Sequence, residues 1–183
     1  SNGFSFNNAS DVDYNFYMNT IGVVNSEIVS PIATYAFNYY RYKLEGVFYD
    51  NRGNLIHKIQ VIPRRENDRV FSGIIYIVED QWSIYGLELQ VTGSQIQTPA
   101  ADLVTIKQNL SYDEKTDFWL VRSQTIGFEY KILGFEGDGN FVANYSNYEL
   151  NTNFDETVFT NEVLAFAPEA NKKDSTYWNT LRP

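Results

Sequence analysis

Residues 40–148 alternate between apolar and polar positions in short runs separated by turn-forming residues. Runs of β-branched and aromatic residues with this spacing are typical of β-strands. The pattern predicts seven strands, at Tyr40–Tyr49, Leu55–Pro63, 70–78, 82–91, 103–112, 117–132 and 141–148. Because short connections join successive strands, we expect an antiparallel meander in which each strand pairs with the next.

The connections between these strands are rich in Gly, Asn and Asp. Residues 50–54 (DNRGN) have the chemistry of a tight hairpin, and residues 136–140 (EGDGN) are interpreted as the last turn of the meander. The other turns and loops are predicted at 64–68, 79–81, 92–101 and 113–116.

Two strands differ in how their faces are composed. In the first strand, one predicted face carries Tyr40, Tyr42, Leu44 and Phe48, and the other carries Arg41, Lys43 and Glu45. This alternation indicates that one side faces water. The run 70–78 is apolar on both faces, so the middle of the sheet is expected to need cover on both sides.

Glycine lies inside four of the predicted strands, at positions 46, 73, 86 and 127. Interior glycines weaken a flat strand but permit strong bending. They favour a curved sheet or a half-barrel over a flat sandwich.

The segments before the sheet are predicted to supply cover. Residues 30–37 begin with Ser and Pro, which are typical of a helix start, and 11–19 is a second helix candidate. The expected fold is therefore mainly β (α+β): a curved antiparallel meander or half-barrel of about seven strands, with one or two short helices on a face. The predicted divisions are 1–30 as a partly helical lid, 31–150 as the β-domain, and 151–183 as an extension with a short strand at 162–167 and a linker at 168–174.

Composition narrows the function classes. There are 14 Lys and Arg against 23 Asp and Glu, giving a net charge of −9, which disfavours nucleic acid and anionic lipid as partners. The chain has no cysteine and one histidine, His57, which removes thiol chemistry and sites that need two imidazoles. A Ser-His-Asp site would have to use His57. We therefore expect no enzyme activity, no cofactor and no metal site.

Individual candidate residues favour structural interpretations. His57 lies on a predicted strand and is interpreted as a hydrogen-bonded strand residue. The stretches 50–54 and 138–140 resemble calcium loops only superficially, because they lack the alternating acidic ligands and the distal glutamate. The acidic pairs at 79–80 and 113–114 could supply the two carboxylates for acid–base catalysis on a sugar. Paired acids at turns are, however, usually just solvated. Arg64, Arg65 and Arg69 form a basic loop that either contacts an acidic or phosphate group or keeps the sheet end soluble.

Five strings occur in the same order as in a known family: SPIA (30–33), YYRYKLEG (39–46), KIQVIPRR (58–65), VFSGIIYIVEDQW (70–82) and NKKDSTYWNTLRP (171–183). They resemble the middle region of an uncharacterised family of Bacteroidetes outer-membrane proteins. Those proteins begin with a carboxypeptidase-regulatory-like β-sandwich and end in a predicted outer-membrane β-barrel. The stretch 73–82 is also similar, more weakly, to the half-barrel of periplasmic lipoprotein-carrier proteins.

The resemblance implies that this chain is a segment of a longer exported protein, at the periplasmic face of the outer membrane. No run reaches the roughly 18 apolar residues of a spanning helix, so no direct membrane span is expected in this segment. The resemblance gives no catalytic residues, because the role of that family is not established. The neighbouring domains of the same full-length chain are the expected partners, together with a possible lipid or lipoprotein.

The leading expectation is a non-enzymatic domain that binds a lipid, a lipoprotein or a hydrophobic segment, or that docks its neighbouring domains. Its groove would be lined by six apolar residues: Phe37, Ile74, Tyr76, Trp82, Leu87 and Leu89. One alternative is a carbohydrate-binding or saccharide-processing domain, which needs a coplanar pair of exposed rings near carboxylates. Another is a purely structural spacer.

Overall fold

The computed structural model describes residues 14–132 and 135–145, all within the unit Ser1–Asn147. The elements in chain order are β1 (Thr20–Val23), β2 (Ser26–Val29), a one-turn 3-10 helix (Ala36–Asn38), β3 (Tyr40–Tyr49), β4 (Leu55–Pro63), β5 (Ser72–Val78), β6 (Ile84–Thr92), β7 (Ala101–Asp113), β8 (Phe118–Ile132) and β9 (Phe135–Asn144). The last seven strands form one open antiparallel sheet in the order β3 to β9. The predicted seven-stranded antiparallel meander is therefore confirmed.

The predicted last turn at 136–140 is wrong, because these residues lie inside β9 and pair with β8 along their length. The sequence EGDGN has turn composition, but the 15-residue strand β8 offers it a partner. Tyr130 is the cross-strand neighbour of Gly137, and a Cβ at that glycine would overlap the Tyr130 ring. The glycine therefore belongs to a strand in which an aromatic ring covers the missing side chain.

The predicted helices are also wrong within the described residues. Residues 14–19 form turns and irregular structure, while 11–13 lie outside the described part. After Ser30, the chain makes successive turns that lead to the 3-10 helix. The Ser30 hydroxyl accepts from the amide of Ile32, as a helix cap would, and donates to the Phe16 carbonyl oxygen 2.7 Å away. No helix follows this contact: the 3-10 helix begins at Ala36, its N-cap is Tyr35, and it has no side-chain cap.

The hairpin β1–β2 and the turns that follow it cover one face of the sheet, which we call the covered face. Its centre consists of side chains that are at most 4% exposed: Ile75, Leu87, Leu89, Val91, Val104, Ile106 and Ile126. Val23 and Ile28 of the hairpin join the same core, together with Phe16 before it and Phe71 from the segment before β5. The described residues before β3 therefore cover this face as a hairpin with turns and not as a helix.

Buried hydrogen bonds fix the cover in place. The Tyr40 hydroxyl donates to the Val29 carbonyl oxygen and accepts from the Phe71 amide at 3.0 Å. The Gln108 side-chain amide, in the centre of the sheet, donates to the Tyr14 carbonyl oxygen at 2.7 Å. These three bonds connect the sheet to segments outside it, so they fix the position of the cover on the sheet.

A β-bulge changes the predicted faces of the edge strand β3. Leu44 pairs with Ile59 and Gly46 pairs with Lys58, which leaves Glu45 as the extra residue. Such an insertion moves the following side chains to the other face. The predicted grouping of Phe48 with Tyr40, Tyr42 and Leu44 is therefore wrong: Phe48 lies on the opposite face, which we call the open face.

Candidate functional site

The six residues predicted to line one apolar groove lie in separate places. Leu87 and Leu89 are buried in the core of the covered face, paired with Ile75 and Gly73. Ile74 and Tyr76 alternate with these partners and therefore point to the open face. The sheet separates the side chains of the two pairs, although Ile74 and Leu89 both border the groove described below.

The other two predicted residues, Phe37 and Trp82, are exposed and lie outside the strands, at opposite ends of the sheet. Phe37 belongs to the 3-10 helix before β3 and packs edge-on against Tyr42, with 5.4 Å between ring centroids. Trp82 lies in the turn between β5 and β6, beside the end of β3 that leads into the 50–54 turn, and is 68% exposed. Its backbone has a φ of 55°, a region that bulky residues rarely adopt.

The open face carries a groove of about 880 Å³, which we call the open-face groove. Its floor consists of cross-strand rows that the register aligns. One row is Ile74, Glu88, Lys107 and Thr125, and the next is Gln90, Thr105, Gly127 and Asn140. Because paired residues in a sheet share a face, these side chains line the same surface.

The groove is acidic. Five acidic residues line it, Glu88, Asp102, Glu129, Glu136 and Asp138, and Lys107 is the one lysine in the lining among residues whose side chains the structure describes. The Lys107 ammonium lies 2.8 Å from the Glu88 carboxylate, and both side chains are about half exposed. An exposed pair of this kind adds little stability, but it compensates one of the acids.

Two of these acids face each other without compensation. Glu129 of β8 and Asp138 of β9 are direct cross-strand partners, and both are exposed. Within the described residues, neither carboxylate has an ion-pair or hydrogen-bond partner. Like charges directly opposite each other in a sheet are destabilising. A bound cationic group would relieve this repulsion.

A second feature is a chain of rings at the end of the sheet that carries the 50–54, 79–83 and 114–117 turns. It runs Tyr76, Phe48, Tyr85, Trp119, Tyr112, with successive centroid distances of 6.1, 6.0, 5.6 and 5.9 Å. Phe48 and Tyr85 belong to strands three apart, about 14 Å in a flat sheet. Their side chains therefore extend toward each other across the two strands between them.

Polar contacts also connect the turns at this end of the sheet. The Arg52 guanidinium lies 4.9 Å from the centre of the Tyr112 ring and 3.0 Å from the Glu114 carboxylate. The Trp119 indole N–H donates to the Gln81 side-chain oxygen at 2.5 Å. The hydrogen bond from the Tyr112 hydroxyl to the Asp117 carboxylate raises the pKa of Tyr112. These contacts join the three turns and have an evident structural role.

The rings do not form the coplanar pair that a sugar platform needs. Close ring pairs in the described part of the chain are tilted by 45° or more, and successive rings of the chain meet at 60° to 79°. Trp82 is exposed, and it has no close ring partner among the described residues. The geometry therefore gives the carbohydrate alternative no specific support.

The remaining candidates have structural contacts. The His57 imidazole lies 3.6 Å from the Glu79 carboxylate. Arg64 donates to the carbonyl oxygens of Phe37 and Tyr40, so this arginine of the basic loop holds the entry to β3. Asp50 accepts from backbone amides of its own turn, as a tight hairpin requires.

Within residues 14–132 and 135–145, no group of three or more His, Cys, Asp or Glu is arranged to hold a metal ion. Nor do these residues include a helix of the length and hydrophobicity that a membrane span requires.

These features define the class: an open, seven-stranded antiparallel β-meander domain with one covered face and one grooved face. A family model described as "Family of unknown function (DUF5686)" matches residues 1–148. The chain belongs to this family, and the prediction of an uncharacterised family is confirmed in that form. No curated protein and no solved structure matches the chain.

Proposed function

We propose that this chain is a non-enzymatic docking domain of a cell-envelope protein, at the periplasmic face of the outer membrane. In this proposal, the open-face groove binds a segment of a neighbouring domain of the same longer protein, and that segment carries Lys or Arg among apolar residues. The envelope location is supported by the sequence resemblance. The docking role is supported by the geometry of the groove.

The observation that carries the proposal is the pair of facing carboxylates Glu129 and Asp138 in the open-face groove, which have no ion-pair partner among the described side chains. Two facing carboxylates are unfavourable in the free domain, and a cation placed between them would be attracted by both. Ile74 and Leu103 add apolar surface to the same groove. An extended segment that alternates cationic and apolar side chains matches both features.

The lipid alternative is less well supported by the packing. The apolar face of the sheet is filled by side chains such as Leu89 and Ile106 and covered by Phe16 and Phe71. An acyl chain entering there would have to displace this cover. The lining of the open-face groove instead mixes apolar side chains with several carboxylates, which disfavour an anionic headgroup.

Isothermal titration calorimetry with short synthetic peptides tests the proposal. The probe is a blocked peptide of about eight residues that alternates Lys and Leu, the length of one strand, and its counterpart alternates Glu and Leu. We expect saturable binding of the Lys–Leu peptide and none of the Glu–Leu peptide. Displacement of a fluorescent fatty acid, measured in parallel, is expected to show no saturable signal.

Two variants locate the binding. The double change Glu129→Gln with Asp138→Asn should weaken the Lys–Leu peptide at least fivefold, because it removes both uncompensated charges. The matched control is Glu114→Gln, an exposed acid outside the groove whose removal should leave affinity unchanged. No binding of the peptide, or equal affinity for the two variants, would contradict the docking role. Saturable fatty-acid displacement would favour the lipid alternative in its place.

A further inference from the structure

The edge strand β3 presents an unusual amount of apolar surface to solvent. Leu44 is 58% exposed, Val47 53% and Tyr49 72%. As the first strand in the sheet order, β3 pairs only with β4, so its other edge has no strand partner among the described residues. Long apolar edges of this kind readily add another strand, and proteins usually block them with charges or bulges.

The charges on this edge are arranged symmetrically around Leu44. Lys43 precedes it and Glu45 follows it, and within one chain their side chains form an exposed ion pair of 2.8 Å. To complement these charges, a partner strand would have to place an acidic residue opposite Lys43 and a basic residue opposite Glu45. The bulge at Glu45 and the two charges therefore exclude most strands but not all of them.

An antiparallel copy of the same strand satisfies this requirement. In an antiparallel pair centred on Leu44, Lys43 of each copy lies opposite Glu45 of the other, and the two Leu44 side chains meet at the twofold axis. Opposite charges facing each other across a strand pair are stabilising. We propose that β3 pairs with β3 of a second copy of this chain to form a weak twofold dimer.

This inference is independent of the docking function, because it uses the β3 edge and not the open-face groove. A contact of two ten-residue strands is at the small end of specific interfaces, so the dimer should dissociate on dilution. Sedimentation velocity of the 183-residue chain tests it, at concentrations from about 1 µM to about 1 mM. We expect a reversible increase from monomer to dimer across this range.

Charge reversals test the register. Lys43→Glu places Glu opposite Glu, and Glu45→Lys places Lys opposite Lys, so each variant alone should raise the dissociation constant at least tenfold. A one-to-one mixture of the two variants restores both opposite-charge pairs, and it should form a heterodimer at least as tight as the parent dimer. The matched control is Lys115→Glu, an exposed lysine in the turn between β7 and β8, which should dimerise as the parent does.

Circular dichroism checks that all variants fold, as expected for exposed positions. A chain that stays monomeric at about 1 mM would overturn the proposal. This outcome includes the case in which another segment of the same copy covers β3. Single variants that dimerise like the parent, or a mixture that fails to recover the dimer, would also overturn it.

Discussion

Removing the single hydroxyl oxygen of Tyr40 should lower the free energy of unfolding of the domain substantially. Tyr40 is fully buried, and its hydroxyl bonds to two backbone groups, the carbonyl oxygen of Val29 and the amide of Phe71. Val29 belongs to the cover and Phe71 to the segment before β5. In Tyr40→Phe the ring is kept, so packing changes little, but both backbone groups lose their partner.

The magnitude follows from the cost of unsatisfied buried groups. Each such group costs about 1–3 kcal/mol. Two groups, one of them only partly shielded, give an expected loss of about 2–4 kcal/mol in the free energy of unfolding. At roughly 3–5 °C per kcal/mol for a domain of this size, the melting temperature should fall by about 6–20 °C.

Urea unfolding followed by tryptophan fluorescence and by circular dichroism measures this loss. The matched control is Tyr42→Phe, whose hydroxyl donates a single bond of 2.7 Å to the Pro31 carbonyl oxygen at a half-buried site. We expect the control to lose about 0.5–1.5 kcal/mol. A Tyr40→Phe variant within about 0.5 kcal/mol of the parent would refute the claim that this hydroxyl holds the cover to the sheet.

Three further predictions concern the core, the backbone and the pH. Leu89→Ala should lose about 2–5 kcal/mol in urea unfolding because it empties a fully buried site, whereas Ile74→Ala on the open face should lose about 1 kcal/mol. Gly73→Ala should lose more than about 2 kcal/mol, because the residue has a φ of 137° and its new Cβ would overlap a backbone carbonyl oxygen of the neighbouring strand. Gly46→Ala, which has open space around it, is the control and should stay within about 0.5 kcal/mol. Burial raises the pKa of Tyr14 to about 12, so above the usual tyrosine value of about 10 the unfolded chain releases a proton that the folded chain keeps. Stability measured by urea should therefore fall as pH rises from about 10 to about 12, by about 1.4 kcal/mol per pH unit for this tyrosine. A flat profile over this range would contradict the burial of its hydroxyl.

The strands that the sequence predicted best are those with local signals at both ends. Tyr40–Tyr49 and Leu55–Pro63 were predicted with the bounds that the structure has. Between them, residues 50–54 supply turn chemistry that works through local hydrogen bonds from backbone amides to Asp50. Local physics is enough to place such a hairpin.

The predictions failed where a distant partner decides the local structure. EGDGN at 136–140 has turn composition, but pairing with β8 and the Tyr130 ring over Gly137 make it a strand. The bulge at Glu45 likewise depends on how β3 meets β4, and it reversed the predicted face of Phe48. The predicted helix start at Ser30 is wrong: the hydroxyl bonds to the Ile32 amide within a turn and to the Phe16 carbonyl oxygen, which is distant in sequence.

The open-face groove could not be predicted from these patterns. It depends on the register of β5 to β9, which aligns Ile74, Glu88, Lys107 and Thr125 in one row. Interpreting residues 136–140 as a turn removes the strand that carries Asp138, so the sequence patterns did not predict that Glu129 and Asp138 face each other. A signal was available: the alternation of acidic and small residues from Glu136 to Asn140 has the period of a strand.

Chemical-shift mapping by NMR, with the Lys–Leu peptide added to the isotope-labelled chain, tests most directly that the grooved face of the sheet is the binding surface. The proposal predicts progressive shifts at groove positions such as Thr105, Thr125 and Asp138, with the cover residue Ile28 unchanged. Shifts confined to β3 or to the cover, or none with about 1 mM peptide, would contradict it.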